Sequence, residues 1–135
     1  MSGPTYFLDT DICVNYLRAR SPSLRDRVLA ARRGQIAVPA MVQAELEFGA
    51  HRSARQRENL AHVARFLAML TVVPFDAAAA RHHGAIRAEL ARAGLPIGPN
   101  ELVIAATVMA AGGVLVTHNT AEFQRVPGLS IQDWT

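Results

Sequence analysis

Four residues of this chain carry side-chain oxygens at places where a fold would bring them to its working edge: Asp9, Glu45, Glu101 and Asn119. Asp9 closes a short β-prone run, Thr5 to Leu8, and Asn119 follows another, Val114 to Thr117, by one residue. Glu45 lies in the helical segment after a third run, Ile36 to Val38, and Glu101 stands in the first turn of a helix opened by Gly98-Pro99. Ligands of an open parallel sheet sit beyond the carboxyl ends of its strands, so the four are expected to converge there. Carboxylates a few ångströms apart raise one another's pKa unless a divalent cation supplies the missing charge. A helix N-terminus favours an anion by only about 0.3–1 kcal/mol at exposed sites, too little to neutralise such a cluster. Glu101, at the head of the apolar run Leu-Val-Ile-Ala-Ala, is expected to have little water and to need a counter-charge. Oxygen-only donors suit Mg²⁺, with Mn²⁺ as a substitute, and not Zn²⁺.

Each residue also has a plainer role open to it. Asp9 is a natural helix cap, Asn119 a turn residue, and Glu45 a partner for an arginine. Glu122 reads either as an outer ligand of the same site or as a surface charge, and His118 as a bystander beside Asn119. The other histidines fit no metal spacing: His82 and His83 are adjacent and diverge on a helix, while His51 and His62 read as surface positions.

The elements that must position these residues alternate. Thr5 to Leu8 reads as a strand, capped at Asp9-Thr10-Asp11 into a helix through Val14 to Arg18. A basic helix from Ser21 to Arg33, stopped by Gly34, leads to the strand Ile36 to Val38, closed by Pro39. Helices follow over Ala40 to Gly49 and Arg52 to Leu70, then a strand over Thr71 to Phe75. Asp76 predicts the N-cap of a long helix to Arg92 with Gly94 as its stop, and Asn100 to Ala111 is a helix apolar on nearly every side, hence buried. Val114 to Thr117 is a fourth strand, His118 to Phe123 a loop or short helix, and Leu129 to Ile131 a candidate fifth strand. Strands alternating with helices imply an α/β class: a three-layer α/β/α domain around a parallel sheet of four to five strands.

At 135 residues, half of them apolar, the chain is expected to form one domain over 1–135. Its net charge is +3, and all 14 of its basic residues are arginine. The absence of lysine either echoes genome composition or removes lysine-dependent chemistry, while arginine still offers forked phosphate contacts. Arginines at 18, 20, 25, 27, 32 and 33, opposed only by Asp26, read either as a guide for a nucleic-acid backbone or as solvated helix faces. The single Cys13 excludes an internal disulfide and reads as packing. Asp9 and Asp11 stand where a signal peptide would be apolar, and the stretch Leu102 to Val116 is too short and Gly-broken to span a bilayer. A cytoplasmic protein with no membrane association is the expectation.

The motifs Phe-Leu-Asp-Thr-Asp at 7–11, Ala-Glu-Leu-Glu-Phe-Gly at 44–49, Ile-Gly-Pro-Asn-Glu-Leu-Val-Ile-Ala-Ala at 97–106 and Thr-His-Asn-Thr-Ala-Glu-Phe at 117–123 resemble PIN-domain toxins of the VapC type. Ile86 to Leu90 and the closing Gln132-Asp133-Trp134 extend the likeness over essentially the whole chain. The resemblance implies Mg²⁺ held by acids, at Asp9, Glu45, Glu101 and Asn119, and cleavage of structured RNA such as transfer or ribosomal RNA. Asp9 and Glu101 would be direct or water-mediated ligands, Glu45 would orient or deprotonate the water, and Asn119 would hold a ligand water. It also implies a VapB-like antitoxin, a homodimer within a toxin–antitoxin assembly, and operator DNA reached through the antitoxin. One departure stands out: the family usually has Asp where this chain has Glu101, one methylene longer. Two rivals follow. A metal-poor PIN domain would bind RNA or its partner without cutting. The Asp9-Thr10-Asp11 run also resembles aspartyl-phosphate phosphatases and receiver domains, which use a lysine that this chain lacks.

Overall fold

The computed structural model describes residues 3–32 and 34–135. In chain order the elements are β1 (Tyr6–Leu8), α1 (Thr10–Leu17), α2 (Pro22–Ala30), β2 (Ile36–Pro39), α3 (Ala40–His51), α4 (Gln56–Ala68), β3 (Thr71–Val73), α5 (Ala77–Ala93), α6 (Pro99–Ala111), β4 (Val114–Val116), α7 (Thr120–Phe123) and β5 (Ser130–Gln132). The five strands form one wholly parallel sheet in the order β3-β2-β1-β4-β5, flanked by the helices. In register, Tyr6, Phe7 and Leu8 of β1 lie against Val114, Leu115 and Val116 of β4. A strand covered on both faces must be apolar on both. Accordingly Phe7, Leu8, Val38, Leu115 and Val116 are at most 1% exposed, and Cys13 is packed among them.

The expected architecture holds, the fifth strand included, and the boundaries differ for local reasons. The helix expected over Ser21 to Arg33 ends at Ala30, because Ala31 turns to extended backbone (φ −70, ψ 146). Gly34, at φ +87, makes the turn into β2 and does not cap a helix. Arg33 lies outside the described residues. Helix α3 runs through Gly49 to His51, and a turn carrying Ser53, whose hydroxyl donates to the Ala50 carbonyl at 2.6 Å, delays α4 to Gln56. Strand β3 stops at Val73, since Pro74 has no N–H for the ladder. Asp76 accepts from the Ala79 N–H at 2.9 Å and Gly94 closes α5 in the left-handed conformation, as their residue types predict. Helix α6 buries Leu102, Ile104, Ala105, Ala106, Thr107 and Val108, so it lies within the protein interior. Among the described residues no helix is long and apolar enough to cross a membrane.

Candidate active site

The connections from β1 to β2 to β3 step one way across the sheet and that from β4 to β5 steps the other, so the chain reverses between β1 and β4. Loops leaving the carboxyl ends of two such strands diverge and open a crevice. Asp9 directly follows β1 and is 5% exposed. Its Oδ1 accepts from the Ile12 N–H at 3.0 Å, so the capping role is real for one oxygen. Its Oδ2 accepts from the Thr117 hydroxyl at 2.5 Å, just beyond β4, and that hydroxyl accepts in turn from the Asn119 N–H at 2.9 Å. The crevice is thereby bridged by Asp9, Thr117 and Asn119.

Glu45 enters from α3. The Thr10 hydroxyl donates to its Oε1 at 2.5 Å and the Asn100 amide to its Oε2 at 3.1 Å, which ties α1, α3 and the start of α6 to one carboxylate. The plainer alternative for Glu45, pairing with an arginine, is not what is seen: its partners are these two neutral donors. Glu101, expected to be starved of water, is partly exposed at the rim and accepts from its own N–H. Of the two readings of Glu122, the geometry agrees with the outer one and not with a free surface charge: its Oε1 accepts from the Asn119 amide at 2.7 Å and its Oε2 from the Gly98 N–H at 2.8 Å. His118 faces the chain end, 2.9 Å from an Asp133 carboxylate oxygen.

Asp9, Glu45, Glu101 and Asn119 thus line one cleft of about 90 Å³, together with Thr10, Asp11, Ile104 and Phe123. The four residues expected to meet are brought together. Sequence reasoning did not count Asp11, Thr10, Thr117 and Asn100 among them. Three are immediate neighbours of, or two residues from, a predicted acid, and Thr117 ends a predicted strand, which was the available signal. Among the described residues no basic side chain lines the cleft. Burial pushes the Asp9 carboxyl up to about 6 against the bonds from Thr117 and Ile12, with Asp11 and Glu45 adding repulsion. Loss of water also raises Glu101, opposed by its own N–H, with further repulsion from Glu122, Glu45 and Asp11. Glu122 is lowered by the Gly98 N–H and then by Asn119.

This is an uncompensated acidic pocket built of oxygen donors. Among the described residues no three His, Cys, Asp or Glu side chains close on one point, so the donor set is open, not a finished cage. An open oxygen set fits Mg²⁺, which keeps several waters and is held by one or two carboxylates, better than a cation that needs a full protein cage.

The arginines divide. Arg18 lines a cavity of about 270 Å³ that shares Thr10 and Glu45 with the cleft, and Arg20 lines one of about 600 Å³ that shares Asp11 and Asn119. Ala19 between them adopts φ +52 and closes α1, with the Arg20 N–H donating to the Asn15 carbonyl at 3.1 Å. Arg27 instead stacks over the Trp134 ring, 4.6 Å from its centroid, beside Tyr6 and Gln35 where strands begin. The basic cluster is therefore no single guide: two of its members flank the cleft and Arg27 does not.

Residues 6–129 match the family described as PIN domain. The chain is 40% identical over 130 residues, 96% of its length and 98% of the other's, to a protein of Shigella flexneri named tRNA(fMet)-specific endonuclease VapC. It also superposes with a TM-score of 0.93 at 37% identity on a chain of the DNA-bound VapBC crystal structure from Salmonella typhimurium, covering 98% of this chain and 100% of that one. A chain of VapBC2 from Rickettsia felis, bound to a promoter DNA fragment, gives a TM-score of 0.91 at 35% identity over 97% and 99% of the two chains. With fold, cleft and full-length similarity in agreement, this chain belongs to the PIN-domain family and, within it, to the VapC group.

Proposed function

We propose that this chain is a divalent-cation-dependent endoribonuclease toxin that cleaves structured RNA such as transfer RNA, halts translation, and is held silent by a VapB-like antitoxin in the cytosol. The observation that carries the reading is the cleft at the strand reversal, where Asp9, Asp11, Glu45, Glu101 and Asn119 gather with no lysine, cysteine or histidine among them. With a divalent cation held there, water can serve as the nucleophile and no covalent intermediate on the protein is needed. The names of the relatives, endonuclease and ribonuclease, support the same reading.

Asp9 and Glu101 are the residues that would hold Mg²⁺ or Mn²⁺, with Asn119 fixing a ligand water. A divalent cation bound there supplies a lowered pKa for water and a counter-charge for the phosphoryl oxygens. Glu45, steadied by Thr10 and Asn100, orients the attacking water and accepts its proton at the carboxylate. The water oxygen joins phosphorus as the bond to the leaving ribose oxygen breaks, and that oxygen takes a proton from solvent. Arg18 and Arg20, each lining a cavity that shares residues with the cleft, would receive the flanking phosphates. The cavity beside Glu45, with Val14, Leu17 and Leu46 in its lining, offers an apolar seat for a segment of the antitoxin. A homodimer and operator DNA reached through the antitoxin complete the assembly, in keeping with the DNA-bound VapBC structures.

Purified chain without antitoxin should cut total transfer RNA with Mg²⁺ or Mn²⁺ and stop with EDTA. The open donor set and Glu101 favour one rival, a PIN domain that binds RNA or its partner without cutting. No cleavage with either metal, by both the parent chain and Glu101→Asp, would establish that rival. Thr117→Val tests the support of Asp9. Valine keeps the volume of a fully buried residue but strips a donor from Asp9 and an acceptor from the Asn119 N–H. Cleavage should fall about 10–100-fold, with about 1–3 kcal/mol of stability lost in urea titration from the unpartnered groups.

A further inference from the structure

Gly98 caps α6 with φ −58 and ψ 149, an extended conformation that any residue adopts. The backbone therefore does not call for glycine there. The space where a side chain would begin is taken instead. A Cβ on Gly98 would overlap Glu101 Oε1, stand 3.1 Å from Glu101 Cδ, and lie 3.7 Å from Glu122 Oε2. Its nearest surroundings are thus two carboxylates. Glu122 accepts from the Gly98 N–H at 2.8 Å, and Arg125, three residues further on, donates to the Pro96 carbonyl at 2.9 Å, so α7 and the turn after it hold the segment leading into α6 at Gly98 and at Pro96.

We propose that Gly98 is a positioning residue of the cleft, whose bare Cα forms a cradle in which the Glu101 carboxylate folds back over the start of its own helix. The geometry gives the extra methylene of a glutamate somewhere to go. Bent back against Gly98, the side chain is drawn in towards its own N–H, and its carboxylate still lines the cleft with Asp9 and Glu45. A methyl group at 98 displaces the carboxylate rather than the backbone, because what it meets is the end of a flexible side chain. The inference rests on Glu101 being a cation-holding acid.

The test is a cycle of Gly98→Ala, Glu101→Asp and the double variant, read by Mn²⁺ binding in calorimetry, by the residue-101 amide shift in the metal-free protein, and by melting in EDTA. Gly98→Ala should weaken Mn²⁺ binding about tenfold or more, move the Glu101 amide shift, and leave the melting temperature in EDTA unlowered. The double variant should bind Mn²⁺ within about threefold of Glu101→Asp alone, since the shorter side chain does not need the cradle. Parental Mn²⁺ affinity in Gly98→Ala, a double variant as weak as Gly98→Ala, or a lower melting temperature in EDTA overturns the cradle and leaves the cation reading standing. A parent chain that binds no Mn²⁺, with an amide shift that still moves in Gly98→Ala, overturns the cation reading and leaves the cradle.

Discussion

Asp9→Asn is expected to abolish metal-dependent RNA cleavage while making the metal-free protein more stable. Metal-ion catalysis is worth several kcal/mol of transition-state charge stabilisation, and about 4 kcal/mol corresponds to roughly a 10³-fold loss in rate. The stability gain follows from the buried carboxyl. Its folded pKa of about 6 exceeds the ordinary 3.8, so folding favours the protonated form. The resulting stabilisation is present below about pH 4 and is lost as the pH rises through about 6. Above that, ionised Asp9 costs the metal-free fold on the order of 2–3 kcal/mol relative to its protonated form. Asparagine keeps an oxygen for the Ile12 N–H and turns an amide towards the Thr117 hydroxyl without that charge. The melting temperature of Asp9→Asn in EDTA should exceed the parent's by roughly 5–10 °C at pH 8, a gap that closes towards pH 4. Saturating Mn²⁺ should raise the parent's melting temperature and leave the variant's almost unmoved. Equal melting curves at pH 8, or parental cleavage by the variant, would remove Asp9 from the centre of the site.

The second large effect is expected from Phe123→Ala. Helix α7 has four residues, too few to hold by its own hydrogen bonds. Phe123, 1% exposed and lining the cleft, anchors it in the core. Truncating a buried phenylalanine costs about 3–5 kcal/mol, a large share of the 5–15 kcal/mol typical of a whole domain. The neighbouring Glu122 holds both Asn119 and Gly98, so a loosened α7 also frees Asn119 and the segment that leads to Glu101. Urea titration should show the stability loss, and cleavage assayed well below the melting temperature should still fall about tenfold. Full activity in a destabilised but folded Phe123→Ala would show that α7 serves stability alone.

These two effects differ in kind, and the difference describes the site. Asp9 gives up stability to keep an acid dry beside other acids, whereas Phe123 supplies the packing that tolerates the arrangement. An acidic cleft whose lining, among the described residues, holds no basic side chain is a local cost borne by a core of Phe7, Leu8, Ile104, Leu115 and Val116. The acids remain poised because their charge is met by hydroxyls and amides from three different segments, α1, the stretch after β4 and the start of α6, not by arginines that would neutralise them.

The four oxygen-bearing residues, the parallel α/β class and the order of strands and helices were legible in the sequence, because each rests on local signals. Asp76 and Gly94 bound a helix by their capping chemistry, and β1 and β4 are apolar runs that end at polar residues. The strand order was not legible: nothing along the chain says that β4 lies beside β1, and that pairing alone brings Thr117 to Asp9 across 108 positions. The end of α2 and the start of α4 also escaped, since neither Ala31 nor Ser53 is a residue type that stops a helix, and the extended turn at one and the bonds to Ala50 and Asn59 at the other show only in the folded backbone. The basic run read as one feature because sequence records proximity along the chain, whereas the fold sends Arg18 and Arg20 to cavities adjoining the cleft and Arg27 to Trp134. The bond from the Gly98 N–H to Glu122, across 24 positions, was decided by the tertiary structure for the same reason. A carboxylate's chemistry follows from its residue type, but its charge state and reach depend on which distant backbone N–H, hydroxyl or empty Cα the fold places beside it.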